Sequence, residues 1–425
     1  MTIRAGGRTA ATRDGGRTAE VRPRSRTRSL CVAAAAALAA VTAAVPAHAA
    51  TAAVPAHAAT PEHRGTPSAR LFTPPADPAA NAQVLDLLRH GKLLDAVGVR
   101  AMTLTPQAVW FTGGDAPADV RASVSKTVGD AARLHALPVL SLYNVPGRDC
   151  GQYSAGGAAN TAEYEAWIDA VKAGIGGRPA DVILEPDSLA LLPSDCGADD
   201  AQGSRTAERY DEIRYAVDAL QSAARSEKVY IDAGHSGWHS VNDIVPRLIS
   251  GGVGDASGFF LNISNYRSDS ELAWYGKLIS SCLSYVQSGG DAASCPNQYW
   301  AQADAQAWLD ANVHAAPATM KHFVTDTSRN GQGPWVPPAG VYSDAQDWCN
   351  PPGRGLGALP TLNTGDPLQD ARLWVKIPGQ SDGQCTRGTA GPNDPERGYP
   401  DPAAGAWFPQ QALELVHHAN PFPRP

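Results

Sequence analysis

Six stretches of the chain place chemically active side chains just after a short apolar run. The run 138–143 leads to Arg148, Asp149 and Cys150, the run 181–184 to Glu185, Pro186 and Asp187, and the run 229–231 to Asp232 and His235. The run 258–262 leads to Asn265, 322–325 to Asp326 and Arg329, and 373–377 to Gln380, Ser381 and Asp382. Carboxylates set among amides, an imidazole and guanidinium groups are the material of general acid–base chemistry. Each residue taken singly is also an ordinary turn former or helix cap. Six such sets in succession are not accounted for that way. His235 and His239 offer a second chemistry, because a four-residue spacing on a helix suits zinc in a metal-dependent hydrolase. That reading needs a third ligand on a helix nearby, and the sequence shows none.

These groups need elements that bring them together. With 108–111 the apolar runs number seven, and each has the composition of a strand covered on both faces. Amphipathic segments at 161–173, 207–224 and 271–283 lie between them. Strand and helix in alternation predict a parallel α/β architecture. Seven strands exceed what a short doubly wound sheet requires, which favours a closed or nearly closed, TIM-like barrel. Residues following the strands would then converge on the C-terminal face, where such barrels carry their chemistry.

The chain has 425 residues, 43% of them hydrophobic and only 18% charged, with 41 Gly and 34 Pro. This composition excludes a disordered chain and a coiled coil and suits a loop-rich globular domain. One domain is expected over about 75–419, after a Pro/Ala-rich approach at 59–80, with no second module visible. Before it, arginines 22, 24, 26 and 28 precede an apolar run at 30–45 and the small-residue pattern Ala47-His48-Ala49. This is the order of a secretory signal, too short for a membrane span. TAAVPAHAA occurs at 42–50 and again at 51–59, so residues 1–58 read as a signal with cleavage after Ala49 or Ala58. The formal net charge is −7, but residues 1–30 carry eight Arg against Asp14 and Glu20. The remainder is therefore strongly acidic, which excludes nucleic acid and anionic membranes as partners and favours an uncharged substrate. Past the leader, six cysteines allow up to three disulfides in an exported chain. Cys282 and Cys295 enclose a Gly/Ser-rich loop and form the natural local pair. No CxxC spacing suggests a structural metal.

The segments YNVPGRDCGQYSAGG (143–157) and VILEPDSLALL (182–192) resemble the two defining segments of glycoside hydrolase family 6. YIDAGHSGWHS (230–240), NISNYR (262–267), DTSRNGQGPW (326–335), DWCNPPGRGLG (347–357), NTGDPLQDARLWVKIPG (363–379) and WFPQQALELV (407–416) extend the similarity. The resemblance implies a distorted, incompletely closed α/β barrel and an inverting cellulase acting on β-1,4-glucan, with no cofactor and no metal. Inversion needs one carboxylic acid to protonate the leaving oxygen and a base to assist water on the opposite face.

The resemblance implies a role for each residue. Asp187 matches the general acid, aimed by Pro186. Asp149 matches the carboxylate that raises the acid's pKa and orders the attacking water, with a plain Arg148–Asp149 surface pair as the bland alternative. Asp382 occupies the position proposed for the base, a proton relay through water being the other possibility. Asp232 reads as a structural or subsite carboxylate. Trp110 and Trp348 would flank the glycone side and Trp238 the aglycone side, with Tyr143 pressing on the scissile ring. His235, Asn265 and Lys376 would bind hydroxyls. Gln380 stands where family members commonly carry Glu and would bind a hydroxyl without bringing charge. Trp167, Trp274 and Trp308 are assigned to the core. Cys150–Cys196 and Cys349–Cys385 would pair. The expectation is a secreted, monomeric endoglucanase of cellulose or related glucans. An exo-acting cellobiohydrolase and a glucan-binding relative silenced at Gln380 are the alternatives. The segment 383–406 is longer than the shortest endo-acting forms have and could partly cover the site, and 281–320, with its own Cys pair, reads as another insertion.

Overall fold

The computed structural model describes residues 70–222 and 227–420; the expected signal segment, 1–58, lies outside them. A seven-stranded parallel sheet, with strands in chain order, forms the centre. The strands are β1 (Val109–Phe111), β2 (Val139–Leu142), β3 (Ala180–Leu184), β4 (Glu227–Asp232), β5 (Gly258–Leu261), β6 (His322–Asp326) and β7 (Gln369–Leu373). The helices are α1 (Pro78–Arg89), α2 (Leu93–Leu104), α3 (Pro117–Arg133), α4 (Thr161–Ile175), α5 (Ser204–Gln221), α6 (Val241–Ser250), α7 (Asp269–Gln287), α8 (Gln302–Asn312) and α9 (Pro409–His417). None of them is long and apolar enough to cross a membrane.

The period-two rule for strands divides each run between two cores. Leu140, Leu142, Val182, Leu184, Val229 and Ile231 pack outward with Val128, Trp167, Ile168 and Val217 from the helices. Ile183, Tyr230, Phe260 and Val324 point inward and fill the barrel with Val139 and Ala371. Trp167 is buried, and Trp274 and Trp308 pack against the outer core as expected.

The seventh strand departs from the expectation. The apolar run 373–377 is not the strand; β7 is the preceding Gln369–Leu373, whose Asp370 and Arg372 are half-buried at the sheet edge. At Val375 and Lys376 the backbone amides turn to the buried Asp326 carboxylate, at 3.2 and 2.9 Å. The two edges of the sheet are not paired as strands and are bridged by bonds such as Ala108 N–H to Trp374 O, 2.9 Å. This detour keeps the barrel incompletely closed. The folded unit also begins earlier than 75, since Leu71 and Phe72 are buried and Arg70–Leu71 pairs with Ala136–Leu137. Two apolar residues are too few for periodicity to reveal.

All three disulfides form: Cys150–Cys196, Cys282–Cys295 and Cys349–Cys385.

Asp326 also accepts Ser264 N–H at 3.1 Å and Ser328 N–H at 2.9 Å, so one carboxylate fixes three loop segments. Unpartnered buried donors each cost about 1–3 kcal/mol. Asp326→Ala is therefore expected to destabilise the oxidised protein by about 3–5 kcal/mol. Urea unfolding checks this, and a loss under about 1 kcal/mol would show that the loops are held otherwise.

Candidate active site

Beyond the C-terminal ends of the strands lies a cleft of about 650 Å³. Asp149, Asp187 and Asp382 line it with Trp110, Tyr143, His235, Trp238, Asn265, Trp348, Lys376 and Gln380. Eleven of the twelve site residues named from sequence thus meet in one place. The exception is Asp232, which is buried behind the cleft wall.

The loops carrying the carboxylates are conformationally strained. Asp149, Glu185 and Asp187 have φ of 55°, 54° and 68°, a region non-glycine residues seldom occupy. Glu185 precedes proline, which adds to its restriction. Its side chain repays the strain by accepting Asn144 and Val145 N–H at 2.8 and 2.9 Å, tying β3 to the loop after β2. Burial raises the Glu185 pKa to about 7, against these amides.

Asp187 holds its proton well above the ordinary carboxylate range. Burial is the main cause, followed by the charges of Asp232 and then Asp149. Asp232 stays in place because Leu189, Ala190 and Gly234 N–H donate to it at 2.8–3.1 Å. Buried and held in this way, it does not line the cleft, and its charge is one of those that raise the Asp187 pKa.

Asp149 receives Ser154 N–H and Oγ–H, both at 2.8 Å. The Ser154 hydroxyl is 3.1 Å from Tyr143 Oη, which reaches Asp187 at 3.3 Å. Arg148 makes no ion pair with Asp149. Its guanidinium donates to the carbonyls of Thr112, Tyr143, Ser154 and Ala155 and lies over the Tyr143 ring. The bland surface-pair reading is thus excluded, and Arg148 serves as the brace of the Asp149 loop.

Asp382 is the opposite case. Burial disfavours its charge, but Arg329 at 2.8 Å and Lys376 at 3.0 Å overcome this and bring its pKa down to about 2. Asn350 N–H donates to it as well, at 3.0 Å.

Burial lowers the His235 pKa to about 3, so the ring is neutral. Gly237 N–H points at its Nδ1, 3.2 Å away, which leaves the proton on Nε2 as a donor. The zinc reading fails on geometry: His235 and His239 precede α6, and His239 Nε2 is already engaged by Ala190 O at 2.7 Å. Trp110 is fixed by its Nε1–H to Val375 O, 2.8 Å, and packs edge-on to Tyr143. Trp348 leans on Tyr153, and Trp238 stacks on His239. Gln380 Nε2–H donates to Asp77 Oδ2 at 3.4 Å.

Sequence reasoning missed Ser154, Tyr153, Arg267 and Asp347, which also line the cleft. All four fall inside quoted motifs, but nothing local distinguishes them from loop residues.

The description "Glycosyl hydrolases family 6" fits residues 66–419. The chain belongs to that family. It is 37% identical over 327 residues to Endoglucanase A of Cellulomonas fimi, covering 77% of this chain and 57% of that protein. With Endoglucanase 1 of Streptomyces halstedii it shares 34% over 358 residues, 84% of this chain and 92% of the relative. The solved endoglucanase Cel6 of Mycobacterium tuberculosis, in complex with methyl-cellobiosyl-4-deoxy-4-thio-β-D-cellobioside, is 36% identical. It superposes with a TM-score of 0.62 over 83% of this chain and 98% of that one. This family 6 chain spans little more than half the length of Endoglucanase A.

Asp232→Asn removes a charge that raises the Asp187 pKa, so the acid should ionise at lower pH. The alkaline limb of kcat/KM on soluble glucan is expected to move down in pH with KM nearly unchanged. A pH–rate profile checks this, and a raised KM with an unmoved limb would make Asp232 a substrate contact after all.

Proposed function

We propose that this chain is a secreted endo-β-1,4-glucanase that hydrolyses cellulose or related glucans with inversion. The observation that carries this reading is a carboxyl group, Asp187, kept protonated by burial and two neighbouring carboxylates at a cleft walled by Trp110, Trp238 and Trp348. A pyranose presents C–H faces that stack on such rings, and a neutral chain suits an acidic protein. The endo-acting sense is supported by similarity to bacterial endoglucanases. Three disulfides support an oxidising, extracellular location. The partner is a single glucan chain, and the protein acts as a monomer.

In this reading Asp187 protonates the leaving oxygen while a water attacks from the other face. Asp149 orders that water and takes up its proton, directly or through a second water. Asp382, with a pKa of about 2 and two cations upon it, is a weak proton acceptor. It supplies fixed negative charge and holds Lys376 and Arg329. Tyr143, between Trp110 and Asp187, presses on the ring being distorted. His235 donates its Nε2–H to a hydroxyl, with Asn265, Lys376 and Gln380 as further polar contacts.

Cellobiohydrolase action is the second reading, because Ala404 and Gly405, in the long 383–406 segment, border the cleft. Following viscosity and reducing ends together on carboxymethylcellulose decides between them. A steep viscosity fall with few new ends is expected. Little viscosity change would favour end-cutting, and no products even on amorphous cellulose would leave a binder. Asp187→Ala should lower turnover on unactivated glucan by about 10²–10⁴-fold. Near-normal turnover would overturn the acid assignment.

A further inference from the structure

The loop between α7 and α8 lies outside the cleft and has no part in the chemistry above. It is nevertheless built with care. Cys282–Cys295 closes it, and Asn242 Nδ2–H donates to Ala292 O and Cys295 O at 2.8 and 2.9 Å. Asn297 Nδ2–H returns a bond to Asn242 Oδ1 at 2.9 Å. Gln298 then inserts its amide into the segment that carries Trp238. Its Nε2–H groups donate to Ser236 O at 2.7 Å and His239 O at 2.9 Å, and Val241 N–H donates to its Oε1 at 3.3 Å. The loop is thus bolted to carbonyls on both sides of Trp238.

The next two residues are Tyr299 and Trp300. A turn fixes their backbone, with Tyr299 N–H on Asn297 Oδ1 and Trp300 N–H on Asn297 O, both at 3.1 Å. Their side chains face solvent, with Tyr299 71% and Trp300 43% exposed. Trp238, at the rim of the cleft, is 37% exposed. Rings of this size are usually buried, and a loop bonded on both sides of Trp238 that keeps two of them open needs a reason.

We propose that Tyr299 and Trp300 form a distal sugar platform that continues the aglycone side of the cleft beyond Trp238. This rests on the glucanase reading. The ligand is the part of a β-1,4-glucan chain that extends past the cleft, stacking its pyranose faces on the two rings. Continuity decides the occupant: Gln298, next to Tyr299 in the chain, bonds directly to the segment that carries Trp238, which makes the loop an extension of that wall. The surroundings fit an uncharged polymer, since the loop 291–301 carries Asp291 as its one charged residue.

A distal platform acts only on substrates long enough to reach it. The test compares cellotetraose with cellohexaose for the wild type and the double variant Tyr299→Ala/Trp300→Ala. The variant is expected to keep kcat/KM on cellotetraose and to lose about fivefold to tenfold on cellohexaose. Tyr299→Phe/Trp300→Phe, which keeps both faces, should restore cellohexaose hydrolysis. An unchanged double variant overturns the platform, as does an equal loss on both substrates, which would mean a structural role for the loop. A change in oligomeric state with unchanged kinetics would assign the rings to a second copy of the chain and also overturn it. Wild-type protein inert on both oligosaccharides would sink the glucanase reading itself, and the platform with it.

Discussion

Burial does most to keep the proton on Asp187, and two other carboxylates, Asp232 and Asp149, are fixed close by and add to it. That arrangement is repulsive, and much of the rim exists to hold it together. Asp232 is pinned by three backbone amides, Asp149 by Ser154, and the Asp149 loop by Arg148 and the Cys150–Cys196 disulfide. The left-handed backbone at Asp149, Glu185 and Asp187 is the geometric counterpart of the same constraint. Strain of this kind persists only where the surroundings over-determine it. Here they do so through Glu185, whose buried carboxyl grips the backbone of the neighbouring loop.

The opposite wall solves a different problem with the same residue type. Asp382 is more deeply enclosed than Asp187, yet Arg329 and Lys376 bring its pKa down to about 2. Arg329 is itself fully buried and lies over Tyr266, so the pair cannot be screened or rearranged cheaply. Two carboxyls across one cleft are thereby driven to opposite protonation states by burial plus neighbours of opposite sign. Such divergence is how a single fold separates acid and anion roles near neutral pH.

Much of this was legible in the sequence. Strands buried on both faces announce themselves as uninterrupted apolar runs, and polar residues following them mark the functional rim. What stayed hidden has physical reasons. β7 carries Asp370 and Arg372 because it lies at an edge, so the apolar run beside it was the stronger signal although it is loop. Its amides are satisfied by Asp326, a partner about fifty residues away that no local pattern reveals. Asp232 reads from its position after β4 as a rim carboxylate, structural or subsite; the three amides that turn it inward come partly from the loop after β3. The roles of Ser154 and Arg148 depend on which atoms they face, and spacing does not encode that.

Gln380 shows how such a distant contact can reinterpret a single residue. The resemblance leads one to expect a carboxylate there, and an amide in its place reads as a weakened site. In the fold, Gln380 faces Asp77, whose Oδ1 caps α1 by accepting Ala79 N–H while its Oδ2 receives the Gln380 amide. A glutamate at 380 would set one carboxylate against another in this half-buried corner, at a cost to both the cap and the cleft. The neutral amide satisfies the cap residue and still presents a hydrogen-bonding group to the cleft. Gln380 is thus matched to the start of α1, some three hundred residues earlier, and leaves Asp149, Asp187, Asp347 and Asp382 as the carboxylates that line the cleft.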